Sequence, residues 1–171
     1  ALTCLHGPVP WLVSYGYMDV AKSIINFPMG TPRGLSLMAM NRKSWDSLSV
    51  AQKKVMFKHL PGASARATVI GYMAADIEIL AQAKKRGITI VPGGPEIGVL
   101  MAAHKKSELT AIPKGLKKVK VKEATAKRIM AAFIKNLKKW EGLAATAGGD
   151  VGKVAALFKS QIYDRLDPAK Y

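Results

Sequence analysis

Apolar side chains recur at helical spacing between Ser64 and Arg86. Ile70, Met73, Ala74, Ile77, Leu80 and Ala81 share one face, while Arg66, Asp76, Lys84 and Lys85 fall elsewhere. A helix of that length spans roughly 33 Å at ~1.5 Å per residue. Its basic last turn complements the helix dipole, and Gly87 suits the residue just past its end. A second amphipathic helix starts near Ala124, with Ile129, Met130, Phe133, Ile134 and Leu137 on one face and Lys127, Arg128, Lys135, Lys138 and Lys139 around it. The glycines of "EGLAATAGGDVGK" break it, and Val151–Tyr163 forms a last amphipathic helix. Met18–Ile25 and Glu96–Lys106 are helix-compatible as well.

Other stretches alternate. "LSLMAM", Leu35–Met40, and "ITIV", Ile88–Val91, read as strands. Val119 and Val121 alternate with lysines, as in a guarded strand edge or a solvated loop. Between strand and helix stands "SLSVAQ". Ser49 at the N-cap and Gln52 three residues later make a capping box, and the helix they open reaches about Lys58, where "LPGAS" separates it from the next. Pro28, Gly30, Pro32 and Gly34 mark a loop. Strands separated by helices, without an internal repeat, predict an α/β class rich in helix.

Composition sets bounds on this picture. The 171 residues suffice for one domain with a core or for part of a larger two-lobed protein, and 49% apolar with 22% charged residues is ordinary for a globular chain. Charge is not ordinary: 27 basic against 11 acidic residues gives +16. Such a surface attracts anions in general, nucleic acid and acidic headgroups included. Cys4 is alone, so no internal disulfide forms, and His6, His59 and His104 are too dispersed for a metal cluster. No apolar run approaches the ~20 residues of a membrane span. The opening "ALTCLHG", without an initiating Met or a signal peptide, reads as the interior of a longer chain.

Catalytic patterns are missing. There is no nucleophile elbow and no P-loop; "PGGPEIG" lacks the Lys-Ser/Thr of a nucleotide loop; and the sparse acids do not pair for acid–base work. The chain reads as a non-enzyme with neither cofactor nor metal. The lysines of Lys114–Lys139 form either a solvated face or, with Phe133 and Trp140 as stacking residues, a nucleic-acid surface; mostly Lys rather than Arg, they suit solvation better than base reading. Trp11, Tyr15, Tyr17 and Phe27 surround a Pro/Gly loop holding Asn26, Met29 and Arg33. They are either core or the wall of a small-molecule pocket, in which the Arg33 fork holds a carboxylate.

The order "DVAKSIINFPMG", then "LSLMAMNRKSWDSLSVAQKKV", then a long helix ending "AQAKKRGITIV" resembles the solute-binding subunits of tripartite ATP-independent periplasmic (TRAP) transporters. There an apolar strand runs into N-x-x-x-W-x-x-L and a capped Q, matched by Asn41, Trp45, Leu48 and Gln52. The resemblance covers Ala1–Tyr163 and corresponds to the second half of a member. It implies a bilobal, periplasmic-binding-protein-like (type II-like) α/β fold with a lobe-spanning helix. Residues 1–63 would be a ligand-binding lobe segment, 64–91 the connecting helix and strand, and 92–171 a basic helical region packing on the lobes. It implies a periplasmic protein that captures a carboxylate-bearing organic acid, a dicarboxylate for instance, and delivers it to membrane permease subunits; nucleic acid is not the favoured partner, and no oligomeric state follows. The implied ligand contacts are Trp11, Tyr17, Asn26, Phe27, Met29 and Arg33, with the main carboxylate-clamping arginine in the other half. "HGPVPW" departs from the family pattern, lacking a V-D-x-x-x-G-like strand between its glycine and proline.

Overall fold

A computed structural model describes residues 3–29 and 39–170, apart from the side chains of Lys117 and Val119. Over the described residues the chain is helix-rich with one strand pair, a mixed α/β-compatible fold containing a long helix. Its described residues form two compact units: residues 3–22, 39–89 and 147–170 in the first, 23–29 and 90–146 in the second.

The first unit is organised by its long helix. Asn41 caps the short helix α2 (Arg42–Asp46), its Oδ1 accepting from the Lys43 N–H at 2.9 Å. Helix α1 (Trp11–Ser14) precedes it in the chain. At the start of α3 (Val50–Thr68) the capping box is complete. Ser49 Oγ accepts from the Gln52 N–H at 3.2 Å, and Gln52 Oε1 accepts from the Ser49 N–H at 2.8 Å. The helix then runs without a break through a π-helical turn, Val69–Ala74, into α4 (Ala75–Lys85). Gly87, at φ +79°, ends it.

The separation read at "LPGAS" is therefore corrected, because Pro61 lies inside α3 and is buried. An interior proline costs about 3 kcal/mol through its missing donor and the clash with the carbonyl four residues back. Burial of its ring, with Ala65 and Val69 following on the same side, offsets that cost.

Helix α7 (Val151–Gln161) packs along α3. Phe57 meets Tyr163 edge-on at one end (centroids 5.5 Å apart), and Gly149 faces Met73 at the other, so the two helices run antiparallel. Phe57 also stacks on Trp45 at 6.0 Å, and Lys53 Nζ lies 5.2 Å from the Trp45 ring centroid. Trp45 thus anchors the entry to α3. Gly148 (φ +58°) and Gly149 (φ +76°) turn the chain before α7, where Asp150 Oδ1 accepts from the Lys153 N–H at 2.8 Å.

In the second unit, strands β1 (Ser23–Asn26) and β2 (Thr89–Pro92, whose first residue belongs to the other unit) pair. This corrects the helical reading of Met18–Ile25. Tyr17–Asp19 forms one 3-10 turn and the β-branched Ile24 and Ile25 enter a strand, whose partner lies more than sixty residues on. Helix α5 (Pro95–Gly115) starts at Pro95 and continues nine residues beyond the predicted Lys106, with Pro113 buried inside it. Leu116–Val119 is a 3-10 turn, so the Val/Lys alternation is not a strand edge. Helix α6 (Glu123–Ala147) passes through Gly142 and stops at the glycine pair. The strand expected over Leu35–Met40 lies almost wholly outside the described residues.

Candidate functional site

Two prolines, Pro8 and Pro10, lead into the single turn of α1, which presents Trp11. Gly7 is required there by close approach: a Cβ on it would lie 2.5 Å from the Trp11 ring. Gly16, at φ +68°, then reverses the chain into the 3-10 turn bearing Tyr17. The result is a row of rings. Trp11 meets Tyr15 edge-on at 5.2 Å, and Tyr15 stacks on Tyr17 at 5.8 Å with 23° between the planes. Both arrangements suit the aromatic quadrupole.

The same 3-10 turn forms one wall of a cleft of about 270 Å³, lined by Met18, Asp19, Ala21, Lys22, Arg86, Gly87 and Ile88. Buried Met18 and Ile88 provide its apolar part. Asp19, Lys22 and Arg86 form a polar rim with one more cation than anion. Asp19 Oδ1 accepts from Arg86 Nη1 at 2.9 Å. Both partners are more than half exposed, so the pair contributes little stability by itself. A guanidinium offers five N–H donors in a planar fork, and one carboxylate engages two of them at most. Arg86 is held at the cleft by the C-terminal turn of α4, where its N–H donates to the Gln82 and Ala83 carbonyls.

Trp11 and Tyr17 are thus in one neighbourhood, bridged by Tyr15 and half-buried. Asn26, Phe27 and Met29 belong to the second unit. Asn26 ends β1 exposed, Met29 is exposed, and Phe27 is seated over Gly93, where an added Cβ would come within 2.8 Å of its side chain. Arg33 lies outside the described residues. Neither Lys22 nor Arg86 is among the ligand contacts expected from the sequence. "KKRG" reads there as a helix end, and nothing local shows that the end closes on residues 18–22, more than sixty positions earlier.

A second apolar depression, lined by Leu48, Ala51, Gln52, Val55 and Met56, lies beside the capping box and presents almost no polar atoms. Asp76, in the first turn of α4, has its carboxyl pushed above the usual carboxylate range by burial, and its Oδ1 has no partner among the described residues. Among the described residues no cluster of His, Cys, Asp or Glu is arranged to hold a metal ion, and no helix is long and apolar enough to cross a membrane. No family model matches the chain, and no curated protein or solved structure shows significant similarity to it.

Proposed function

We propose that the chain is part of a periplasmic solute-binding protein that captures a small carboxylate-bearing molecule and hands it to a membrane permease of the tripartite ATP-independent type. The cation-rimmed cleft beside the aromatic row carries this reading. Its volume, just below the 300–1,000 Å³ of ordinary ligand pockets, suits a small acid. Arg86 and Lys22 attract a carboxylate, the Met18–Ile88 floor takes apolar carbon, and Trp11, Tyr15 and Tyr17 stand on the adjoining turn. The end of the long helix also supports it, since the resemblance calls for a helix that ends in a Lys/Gly turn and a strand, as α4, Gly87 and β2 do.

On this reading the fold is a bilobal periplasmic-binding type, and recognition is electrostatic at the rim and apolar below. Asn26, Phe27, Met29 and Arg33 remain ligand contacts that the resemblance implies. A ligand that binds the folded chain alone raises its melting temperature by mass action, about 2.7 kcal/mol at a hundredfold excess over Kd. A panel of mono- and dicarboxylic acids screened by thermal unfolding is expected to give at least one shift that Arg86→Gln and Lys22→Gln abolish. Shifts that ignore both substitutions, or no shift from any acid, contradict the proposal.

A further inference from the structure

The middle of α6 carries a line of large apolar side chains turned to solvent. Ile129, Phe133 and Leu137 are 56%, 61% and 43% exposed, and their i, i+4, i+8 spacing keeps them within ~80° of arc. Among the described residues of its unit, no helix packs extensively along α6. Between Ala124 and Trp140 the helix has five cations, Lys127, Arg128, Lys135, Lys138 and Lys139, and no acid. At 100° per residue these fall on the arc opposite the stripe, about 120–160° from its centre, from which only long side chains reach back toward the plane of the apolar line. Exposed Lys114, Lys118, Lys120 and Lys122 lead into it. Residues 90–146 contain 12 basic and 4 acidic residues, a net charge of +8.

We propose that α6 docks flat on an anionic phospholipid surface, with Ile129, Phe133 and Leu137 in the boundary between headgroups and acyl chains and the lysines against lipid phosphates. Charge and pattern together select this occupant. A nucleic acid would engage the lysines and leave the apolar line in water. A second copy of the chain would bring two strongly positive units together. A bilayer accepts both faces at once, because long lysine stems reach from the apolar boundary to the phosphates. The helix is too polar to span, so it lies on the surface. Lysine in place of arginine suits this setting, where attraction needs no bidentate geometry. The inference stands independently of the solute-binding proposal.

Sedimentation of the whole chain with sucrose-loaded vesicles tests it. Binding to 70:30 phosphatidylcholine:phosphatidylglycerol is expected to exceed binding to pure phosphatidylcholine at least tenfold at 0.1 M salt. Each basic residue near an anionic surface contributes roughly fivefold, so a K135Q/K138Q/K139Q variant is expected to lose about 100-fold. I129S/F133S is expected to lose binding to anionic vesicles while keeping its circular dichroism, since both side chains are exposed. Cys4 is the sole cysteine, so spin labels at F133C and K135C in a C4S background report depth. The label at 133 should gain oxygen accessibility on binding and the label at 135 should not. Equal binding to neutral and anionic vesicles, or binding that ignores I129S/F133S, overturns the proposal. So does a dimer lost in F133S, or salt-sensitive nucleic-acid binding, appearing without vesicle binding.

Discussion

Replacing Ser49 by alanine removes one hydroxyl from an exposed position, yet the helix it caps organises the whole first unit. The Ser49 side chain satisfies the Gln52 N–H, and the Gln52 side chain satisfies the Ser49 N–H. Ser49→Ala cuts the first bond outright, removes the donation from Ser49 Oγ to Gln52 Oε1 at 3.0 Å, and leaves the second. Loss of an N-cap hydroxyl costs about 1 kcal/mol, within a range of roughly 0.5–2. A chain of this size shifts by about 2–4 °C per kcal/mol, so a fall of roughly 3 °C is expected. Ser49→Gly should cost only a few tenths of a kcal/mol and Ser49→Asp close to nothing, because glycine suits the cap's extended backbone and aspartate restores an acceptor. Gln52→Ala should cost less than Ser49→Ala, and the double variant should fall short of the sum, since the two bonds share their residues. Urea unfolding followed by circular dichroism reads all five proteins. Equal effects of alanine and glycine at position 49 would show that the loss is not a capping loss, and strict additivity would show that the box does not act as a unit.

Asp76→Asn should stabilise the protein slightly near neutral pH, because one oxygen of the half-buried carboxylate, Oδ1, lacks a partner among the described residues. Its folded pKa is raised above the unfolded 3.8, so protonation favours the folded state, and stability falls as pH rises from 3.8 through the raised value. The wild-type-minus-variant difference should show that fall and then level off; a flat difference from pH 3 to 8 refutes it. Phe57→Leu should cost less than Phe57→Ala, the latter about 3 kcal/mol in chemical denaturation, because Phe57 joins Trp45 to Tyr163. Gly149→Ala should cost about 1–2 kcal/mol through its positive φ, and Gly62→Ala, inside α3 with open space around it, should be neutral or stabilising in the same assay.

The ends of the elements were legible where a side chain acts on its own neighbours. Ser49 with Gln52, Gly87, and the Gly148–Gly149 pair each set a local backbone state, and each acts where the sequence places it. Two misreadings share one cause. Pro61 breaks a helix on local grounds, and burial in the first unit overrides it. Ile24 and Ile25 fit a helical pattern, and pairing with β2 makes them a strand. Both outcomes depend on residues far along the chain, which periodicity does not reveal. The candidate site divides the same way. Its rings, Trp11 to Tyr17, lie within seven positions and were visible as a cluster. Its cations were not, because Lys22 and Arg86 meet only when Thr89 N–H donates to the Lys22 carbonyl and brings the end of α4 to residues 18–22.

Titration of the cleft itself is the most direct test of the solute-binding proposal. Isothermal calorimetry with the best acid from the thermal panel, at 0.1 and 0.5 M salt, separates one cleft from a diffuse basic surface. The account predicts one ligand per chain, an affinity that falls only modestly with salt, and loss of binding in Arg86→Gln. Several weak sites that vanish together at 0.5 M salt, unchanged by Arg86→Gln, would contradict it.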